Sequence, residues 1–364
     1  MKRLRKIALI DLGIEFTGGQ TYLQNLVPLL SGEADLWVLK LNPNLRFAVR
    51  NELARVIDLG FARRGGRPLQ IAACMVLLLW LRLRHGLDTV WVNGYPEIAL
   101  MPWARIIGCK AIATRHLTLV KNTVKWQWMR KGRRVHLLYE RLAPASNKIV
   151  CVSRAVAESL KTVVPSGKLA VIPNWVPVMP SAITVTQNGS EPLRLLFVGR
   201  LVRHKGVFLI LEALRALQKA DQRSTVLTVV GDGEERELLE TEAAGLNVRF
   251  AGFQANPAPF YKEADVFVNP TMGPEGLPLV SLDAMSYGLP CIFSDLPVHK
   301  EISANGQSAL LFESGNPESL KRSIELLLGA PRLIGEYGRL ARKTVEANHG
   351  AETARLRYVQ ELGL

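Results

Sequence analysis

Short apolar runs of four to six residues alternate along this chain with longer stretches in which apolar positions recur every three to four residues. Strand-length runs separated by helical periods are the pattern of βαβ units and a mostly parallel sheet, so the predicted fold class is α/β. In the first half the runs predict strands at Lys6–Ile10, Asp35–Leu39, Thr89–Val92, Cys109–Ala113, Lys148–Val152 and Leu169–Ile172. From Pro173 to Pro192 (PNWVPVMPSAITVTQNGSEP) four prolines and polar spacers supply neither period, which predicts a domain linker. The alternation then restarts with strand Leu193–Val198, helix Val207–Lys219, strand Thr225–Val230, helix Glu234–Ala244 and strands Val248–Ala251 and Asp265–Asn269. A helix from about Leu279, strands Cys291–Ser294 and Ala309–Phe312, and three helical stretches from Pro317 complete the pattern.

Two apolar runs invite a membrane reading. The N-terminus, MKRLRKIALIDLG, opens like a signal peptide, but Asp11 interrupts its apolar run after Ile10, so it is read as a first strand. Ile71–Leu81 is the longest run at 11 residues, short of the roughly 20 that span a bilayer. It is expected to be a buried helix of an α/β domain, with an interfacial segment as the alternative and no transmembrane helix.

A length of 364 residues, at roughly 150 per domain, predicts two domains: 1–180, 190–345, and a last segment 346–364. With 48% hydrophobic and 21% charged residues the chain is neither disordered nor collagenous, and it can bury sizeable cores. Cys74, Cys109, Cys151 and Cys291 are scattered, which argues against a disulfide framework or zinc site and for a cytoplasmic setting. Charge is lopsided: residues 1–190 hold 27 Lys/Arg against 10 Asp/Glu, whereas the remainder holds 19 against 22. A first half this basic points to a polyanionic partner, membrane lipid or nucleic acid. The segment Lys121–Arg134 sharpens the choice, because Lys125, Arg130, Lys131, Arg133 and Arg134 accompany Trp126, Trp128 and Met129. Interfacial Trp among cations favours an anionic membrane surface, and a solvated basic helix is the alternative. The motifs of nucleic-acid modules are otherwise missing, so no nucleic-acid partner is expected.

Candidate chemistry concentrates in two segments of the second half. Phe197-Val-Gly-Arg-Leu-Val-Arg-His-Lys-Gly206 is a buried strand ending at Gly199 that delivers Arg200 and Lys205 just before a helix. Ligands of open α/β sheets bind at the carboxyl ends of strands, where two cations suit a diphosphate; a solvated basic loop is the bland alternative. In Asn269 to Pro290 a strand runs through a Gly/Pro turn bearing Glu275 and Gly276 into a helix near Leu279. The first amides of that helix lack intrahelical acceptors and favour an anion. Asp283 lies one to two turns later; an acid that merely complements the helix dipole is its alternative.

Together these segments resemble the donor-binding half of the retaining GT-B glycosyltransferases of family four. The resemblance rests on Gly199-Arg200, Lys205-Gly206, the spacing of Glu275 to Asp283, Ile172-Pro-Asn174, Val230-Gly-Asp-Gly233, Ala284-Met285 and Gly288-Leu-Pro290. It covers the whole second half. Two positions depart from the family pattern: Asp283 replaces a longer glutamate, and Pro278 replaces a glycine, removing one amide and leaving those of Leu277, Leu279 and Val280. Pro278 is expected at the first helical position. The first half resembles the family less, through Gly18-Gly19 after the first strand and His116 after the strand Cys109–Ala113. Read alone, a single loop histidine is more often structural.

The resemblance implies a GT-B architecture: two Rossmann-like, doubly wound domains facing across a cleft, acceptor in the first, donor in the second, the last helix packing back toward the first. It implies a retaining glycosyltransferase with His116 and Glu275 at the catalytic centre, His116 contacting the donor sugar. Its donor would be a nucleotide sugar, UDP- or GDP-linked. The acceptor would be a glycan or lipid-linked, in bacterial cell-surface polysaccharide or lipopolysaccharide synthesis on the inner face of the plasma membrane. No acidic pair at a strand end suits Mg²⁺, Asp232-Gly-Glu234 being the nearest, so neither metal nor cofactor is expected. GxGxxG, HExxH and Ser/His/Asp patterns are missing as well. A nucleotide-sugar epimerase or phosphorylase on the same fold, and a non-catalytic polyanion binder, are the rivals.

Overall fold

The computed structural model describes residues 4–13, 18–41, 54–60, 62, 66–94, 96–118, 141–179, 192–219 and 225–364. The chain divides into two compact units, Met1–Asn174 with Ala351–Leu364, and Trp175–Gly350. Trp175 and Val176 lie within the stretch that sequence pattern marks as linker, yet both are buried, and the Val176 amide donates to the His349 carbonyl at 3.1 Å. An apolar pair in a proline-rich segment is thus buried as part of the second unit. Residues 180–191 lie outside the described residues.

In the first unit the strands are β1 (Arg5–Asp11), β2 (Ala34–Lys40), β3 (Arg55–Asp58), β4 (Thr89–Val92), β5 (Lys110–Arg115), β6 (Lys148–Cys151) and β7 (Leu169–Val171). They form one sheet in the order β3-β2-β1-β4-β5-β6-β7, every pair parallel. The helices described are α1 (Gly18–Leu30), α2 (Gly66–His85), α3 (Met101–Ile106) and α4 (Arg154–Leu160). Strand β3 escapes the hydrophobic pattern because it is a largely exposed edge without a buried face. Ile7 to Ile10 of β1, by contrast, are wholly buried, as expected of a central parallel strand.

The second unit has β8 (Leu193–Val198), β9 (Thr225–Val230), β10 (Val248–Gly252), β11 (Val266–Asn269), β12 (Cys291–Ser294) and β13 (Leu310–Phe312). Their order is β10-β9-β8-β11-β12-β13, again all parallel. Its helices are α5 (Val207–Lys219), α6 (Arg236–Glu242), α7 (Ala258–Glu263), α8 (Leu279–Ser286), α9 (Pro297–Ile302), α10 (Pro317–Gly329) and α11 (Arg332–Asn348). Helix α5 turns Val207, Ile210, Leu211, Leu214 and Leu217 into the core beside β8 and α10. Each buried aliphatic side chain contributes about 1.5–3 kcal/mol.

The final helix, α12 (Ala351–Leu362), belongs to the first unit, where it packs on α1. The buried Tyr22 and Tyr358 hydroxyls bond at 2.6 Å, Lys110 donates to the Leu362 carbonyl at 2.8 Å, and Arg355 pairs with Glu33.

Helix α2 corrects a sequence expectation. The apolar run at its centre does not form a buried helix: only Gln70, Cys74, Leu78 and Leu81 are buried, while Leu69, Val76, Leu79, Trp80 and Leu83 are exposed. The helix also runs to 20 residues, past Arg82 and Arg84, and by length and composition alone it could cross a membrane. An apolar run in a parallel-sheet protein looks core-like on both faces, and sequence does not say which face the sheet covers.

Candidate active site

Both sheets wind outward in opposite directions from their first strand, so each has a switch point: between β1 and β4 in the first unit, between β8 and β11 in the second. Ligands of open α/β sheets bind at the carboxyl ends of the strands flanking such a point. Four residues mark these ends: Asp11 and Asn93 in the first unit, Gly199 and Asn269 in the second.

At the second unit's switch point, the loop after β8 carries Arg200 on its surface and Lys205 half-buried. Gly206 takes a left-handed conformation (φ 73°), and a Cβ there would lie 2.4 Å from the Pro270 carbonyl oxygen. Glycine therefore lets the two loops close up. Gly231 serves the same purpose one loop away, since a Cβ would lie 1.8 Å from the Gly199 carbonyl oxygen, whose own amide donates to Val230. The consequence is a direct ion pair between Lys205 and Glu275. Sequence reasoning set Lys205 aside for phosphate and Glu275 for sugar; the structure instead joins them. Burial alone would raise the Glu275 pKa, but the Lys205 charge and hydrogen bond, helped by His299 and His204, hold it below the usual range. Lysine has three donors, so Lys205 can keep Glu275 and still reach an anion.

Two histidines that sequence reasoning missed flank this pair. His204 is pushed down to about 4, by burial first and then by Lys205. His299 is fully buried and also lowered to about 4, chiefly by burial. Its Nδ1 donates to the Ser294 carbonyl at 2.8 Å, which leaves Nε2 as a buried acceptor with no hydrogen-bond partner among the described residues. Ser294 Oγ in turn donates to the Thr271 carbonyl at 2.5 Å, and Thr271 Oγ1 to Asn269 Oδ1 at 2.6 Å. The signal for His299 was its place just after β12, at another carboxyl end of the sheet.

Helix α8 begins at Leu279, and Pro278 is its N-cap (φ −69°, ψ 115°) rather than its first residue. The Pro278 carbonyl accepts the Ser281 and Leu282 amides at 3.1 and 3.3 Å. The amides of Leu279 and Val280 precede these and lack intrahelical acceptors. Gly276 and Leu277 are buried in the turn before the helix, and the Val280 carbonyl is taken by Tyr261 at 3.2 Å. Asp283 is half-buried beside the stacked Tyr261 and Tyr287 rings. Its side chain has no hydrogen bond among the described residues, and burial raises its pKa to about 7.

The first unit's switch point holds a different construction. Asp11 Oδ1 accepts the Gly13 amide and Gln20 Nε2, each at 2.9 Å, and Oδ2 accepts Asn93 Nδ2 at 2.8 Å. Asn93 Nδ2 also donates to the Gly19 carbonyl at 2.8 Å, tying down the start of α1. With both its hydrogens so used, Asn93 presents Oδ1 to His116 Nε2 at 3.0 Å, so Nε2 carries the proton and Nδ1 is the acceptor. Burial, then Arg115, lowers the His116 pKa to about 4, and the imidazole is neutral near pH 7. Tyr22 packs edge-on against its ring at 4.8 Å. Close to Asp11 is Glu97, whose Oε1 accepts the Leu12 amide at 2.6 Å and whose Oε2 is buried without a hydrogen-bond partner among the described residues. Burial, then the Asp11 charge, raises its pKa to about 7.

In the first unit Asn93 joins His116 and Gly19, with Gly18 next to Gly19 in sequence; in the second Lys205 joins Glu275, Gly199 and Arg200 lie on the loop after β8, and Gly276, Leu277, Leu279, Val280 and Asp283 lie on the segment that follows β11. Asp11, Gln20, Asn93 and Glu97 were missed; Asp11 had registered only as the end of an apolar run. Lys125, Trp126, Trp128, Arg130, Lys131, Arg133 and Arg134 lie outside the described residues. Among the described residues no group of three or more His, Cys, Asp or Glu could hold a metal ion.

Residues 16–178 match the family model described as Glycosyltransferase Family 4, and residues 182–344 the model described as Glycosyl transferases group 1. The glycogen synthase of Mycobacterium tuberculosis is 25% identical over 271 residues, 72% of this chain and 64% of that protein. The lipopolysaccharide core biosynthesis glycosyltransferase LpsE of Rhizobium meliloti is 27% identical over 222 residues, 59% of this chain and 63% of that protein. The chain thus spans a little under two thirds of the length of these relatives. The structure of Anabaena HepE in complex with UDP-glucose superposes with a TM-score of 0.79 at 16% identity, covering 98% of this chain and 99% of that one.

Proposed function

We infer, from a chain that belongs to glycosyltransferase family four and has the GT-B fold, that it moves a glycosyl group from a nucleoside-diphosphate sugar to a glycan or lipid-linked acceptor. The donor is UDP- or GDP-linked, and UDP is favoured because HepE, of the same fold, was captured with UDP-glucose. Transfer proceeds with retention and without a metal. The matched LpsE makes cell-surface polysaccharide or lipopolysaccharide synthesis the favoured setting.

The single observation that carries this reading is the second unit's switch point, where the loop after β8 bears Arg200 and Lys205, the segment after β11 leads into α8, whose first amides lack intrahelical acceptors, and Lys205 pairs with Glu275 between the two. In a transfer of this kind negative charge grows on the departing diphosphate, and fixed cations and amides stabilise it without reorganising. Lys205 shares its charge between Glu275 and the phosphate. Glu275, kept ionised by that lysine, accepts hydrogen bonds from sugar hydroxyls and orients the anomeric carbon. His299 Nε2 offers a further acceptor. Asp283 faces the ribose hydroxyls, and their hydrogen bonds favour its ionised form. His116 serves the sugar as a neutral acceptor through Nδ1. Neither His116 nor Glu275 is assigned as a nucleophile.

The test is incubation with UDP- and GDP-sugars and a membrane extract as acceptor, with release of nucleoside diphosphate and the anomer of the product as readouts. Retained configuration, and activity that survives EDTA, are expected. An inverted product, a free epimerised nucleotide sugar, or loss in EDTA restored by Mg²⁺ would each overturn the corresponding part.

A further inference from the structure

Helix α2 presents a face that a water-soluble helix does not. At 100° per residue, Leu69, Ala72, Val76, Leu79, Trp80 and Leu83 fall within about 100° of its circumference and run for about 21 Å. All six are exposed, Val76 by 72%, Trp80 by 51% and Leu83 by 78%. The opposite face, Gln70, Cys74, Leu78 and Leu81, is buried in the unit. The neighbouring α3 is tied to this helix by Trp103 Nε1, which donates to the Met75 carbonyl at 3.0 Å, and its Ile106 is 73% exposed.

Charge along this helix has one sign. The 20 residues of α2 include no Asp or Glu, and Arg82, Arg84 and His85 occupy the last turn. Arg105 is exposed on α3, next to Ile106. This rim belongs to a half-chain with an excess of 17 positive charges. A second copy would oppose cation to cation across the apolar stripe. An anionic bilayer instead takes the Leu, Val and Trp side chains into its interfacial zone while its headgroups meet the arginines.

We propose that the α2 face, edged by Arg84 and Arg105, docks the first unit on an anionic phospholipid surface. The helix lies in the plane of the interface and does not span it, because leaving the unit would uncover its buried face. Trp80, packed edge-on against His85 at 4.8 Å, sits at headgroup depth. The inference is independent of the transferase reading, which concerns the switch points.

The experiment is flotation of the full chain with vesicles of phosphatidylcholine containing phosphatidylglycerol, and of phosphatidylcholine alone, for the wild type and for Val76→Glu/Leu83→Glu. Both side chains are exposed, so circular dichroism and the melting temperature of the double variant should match the wild type. Wild type is expected to float with the anionic vesicles only, and the double variant to partition at least about tenfold less. No flotation of the wild type, equal recovery with neutral vesicles, or unchanged recovery of the variant overturns the proposal. So does a lipid-free dimer that the double variant makes monomeric. Titration of UDP into the same variant reads the donor site separately and should be unaffected.

Discussion

The two units wind their strands in the same order, yet their switch points are furnished in opposite ways. In the first, Asp11 and Asn93 engage most of their hydrogen-bonding capacity with one another, with Gln20, the Gly13 amide, the Gly19 carbonyl and His116. In the second, Lys205 retains spare donors, the Leu279 and Val280 amides lack intrahelical acceptors, and among the described residues His299 Nε2 has no hydrogen-bond partner and Asp283 no side-chain hydrogen bond. Strand order decides where a crevice opens; the degree of internal satisfaction decides what it can do. A saturated network fixes the shape of a wall, whereas unsatisfied groups hold free energy that a ligand recovers on binding. His116 Nδ1, left as an acceptor, and Glu97 are the exceptions in the first unit, and the Glu97 pKa of about 7 lets it carry a proton beside Asp11.

The largest expected effect is on turnover. Glu275→Ala and His116→Ala should each slow single-turnover transfer by about 10²-fold or more, as loss of a positioned group commonly does. Calorimetry should find the nucleoside diphosphate still bound, and at least as tightly in Glu275→Ala, where Lys205 loses its competitor. Near-normal turnover in His116→Ala would return that residue to a structural role. Next in size, Arg200→Ala and Lys205→Ala should weaken UDP or GDP binding by about 1.5–3 kcal/mol, the range of hydrogen bonds to charged groups.

The saturated wall should fail differently. Asn93→Ala strips a donor from Asp11 and the acceptor from His116 Nε2, and should cost about 1–3 kcal/mol in urea denaturation, with loss of turnover following from the misplaced imidazole. The two acids of the second unit should then separate by pH. Asp283, raised to about 7 by burial, is destabilising once ionised, so Asp283→Asn should gain melting temperature over the wild type as pH rises from about 4 to 7, and no further above. Glu275, held low by Lys205, stabilises above the ordinary carboxylate range and loses that contribution on acidification, so Glu275→Gln should show the opposite trend. Smallest of all, Gly18→Ala should change stability by less than about 0.5 kcal/mol, because its Cβ would meet nothing within 4 Å; weaker donor binding in that variant would mark the open space as ligand space.

The sequence by itself determined the α/β class and most strand and helix positions, because a period of two or 3.6 and the punctuation by Gly and Pro are local properties. It also determined which segments carry the candidate site: Gly199-Arg200, Lys205-Gly206 and Glu275 to Asp283 are contiguous motifs at strand ends. Only the tertiary structure decided what those residues are joined to. Lys205 meets Glu275 across a separation of 70 positions in the chain, closed by Gly206 against Pro270. His299 and Asn93 become site residues because parallel strands bring distant carboxyl ends side by side, and no local pattern records that adjacency. For the same reason the apolar run in α2 read as core: hydrophobicity is written in the chain, but which face is covered is settled by what packs against it.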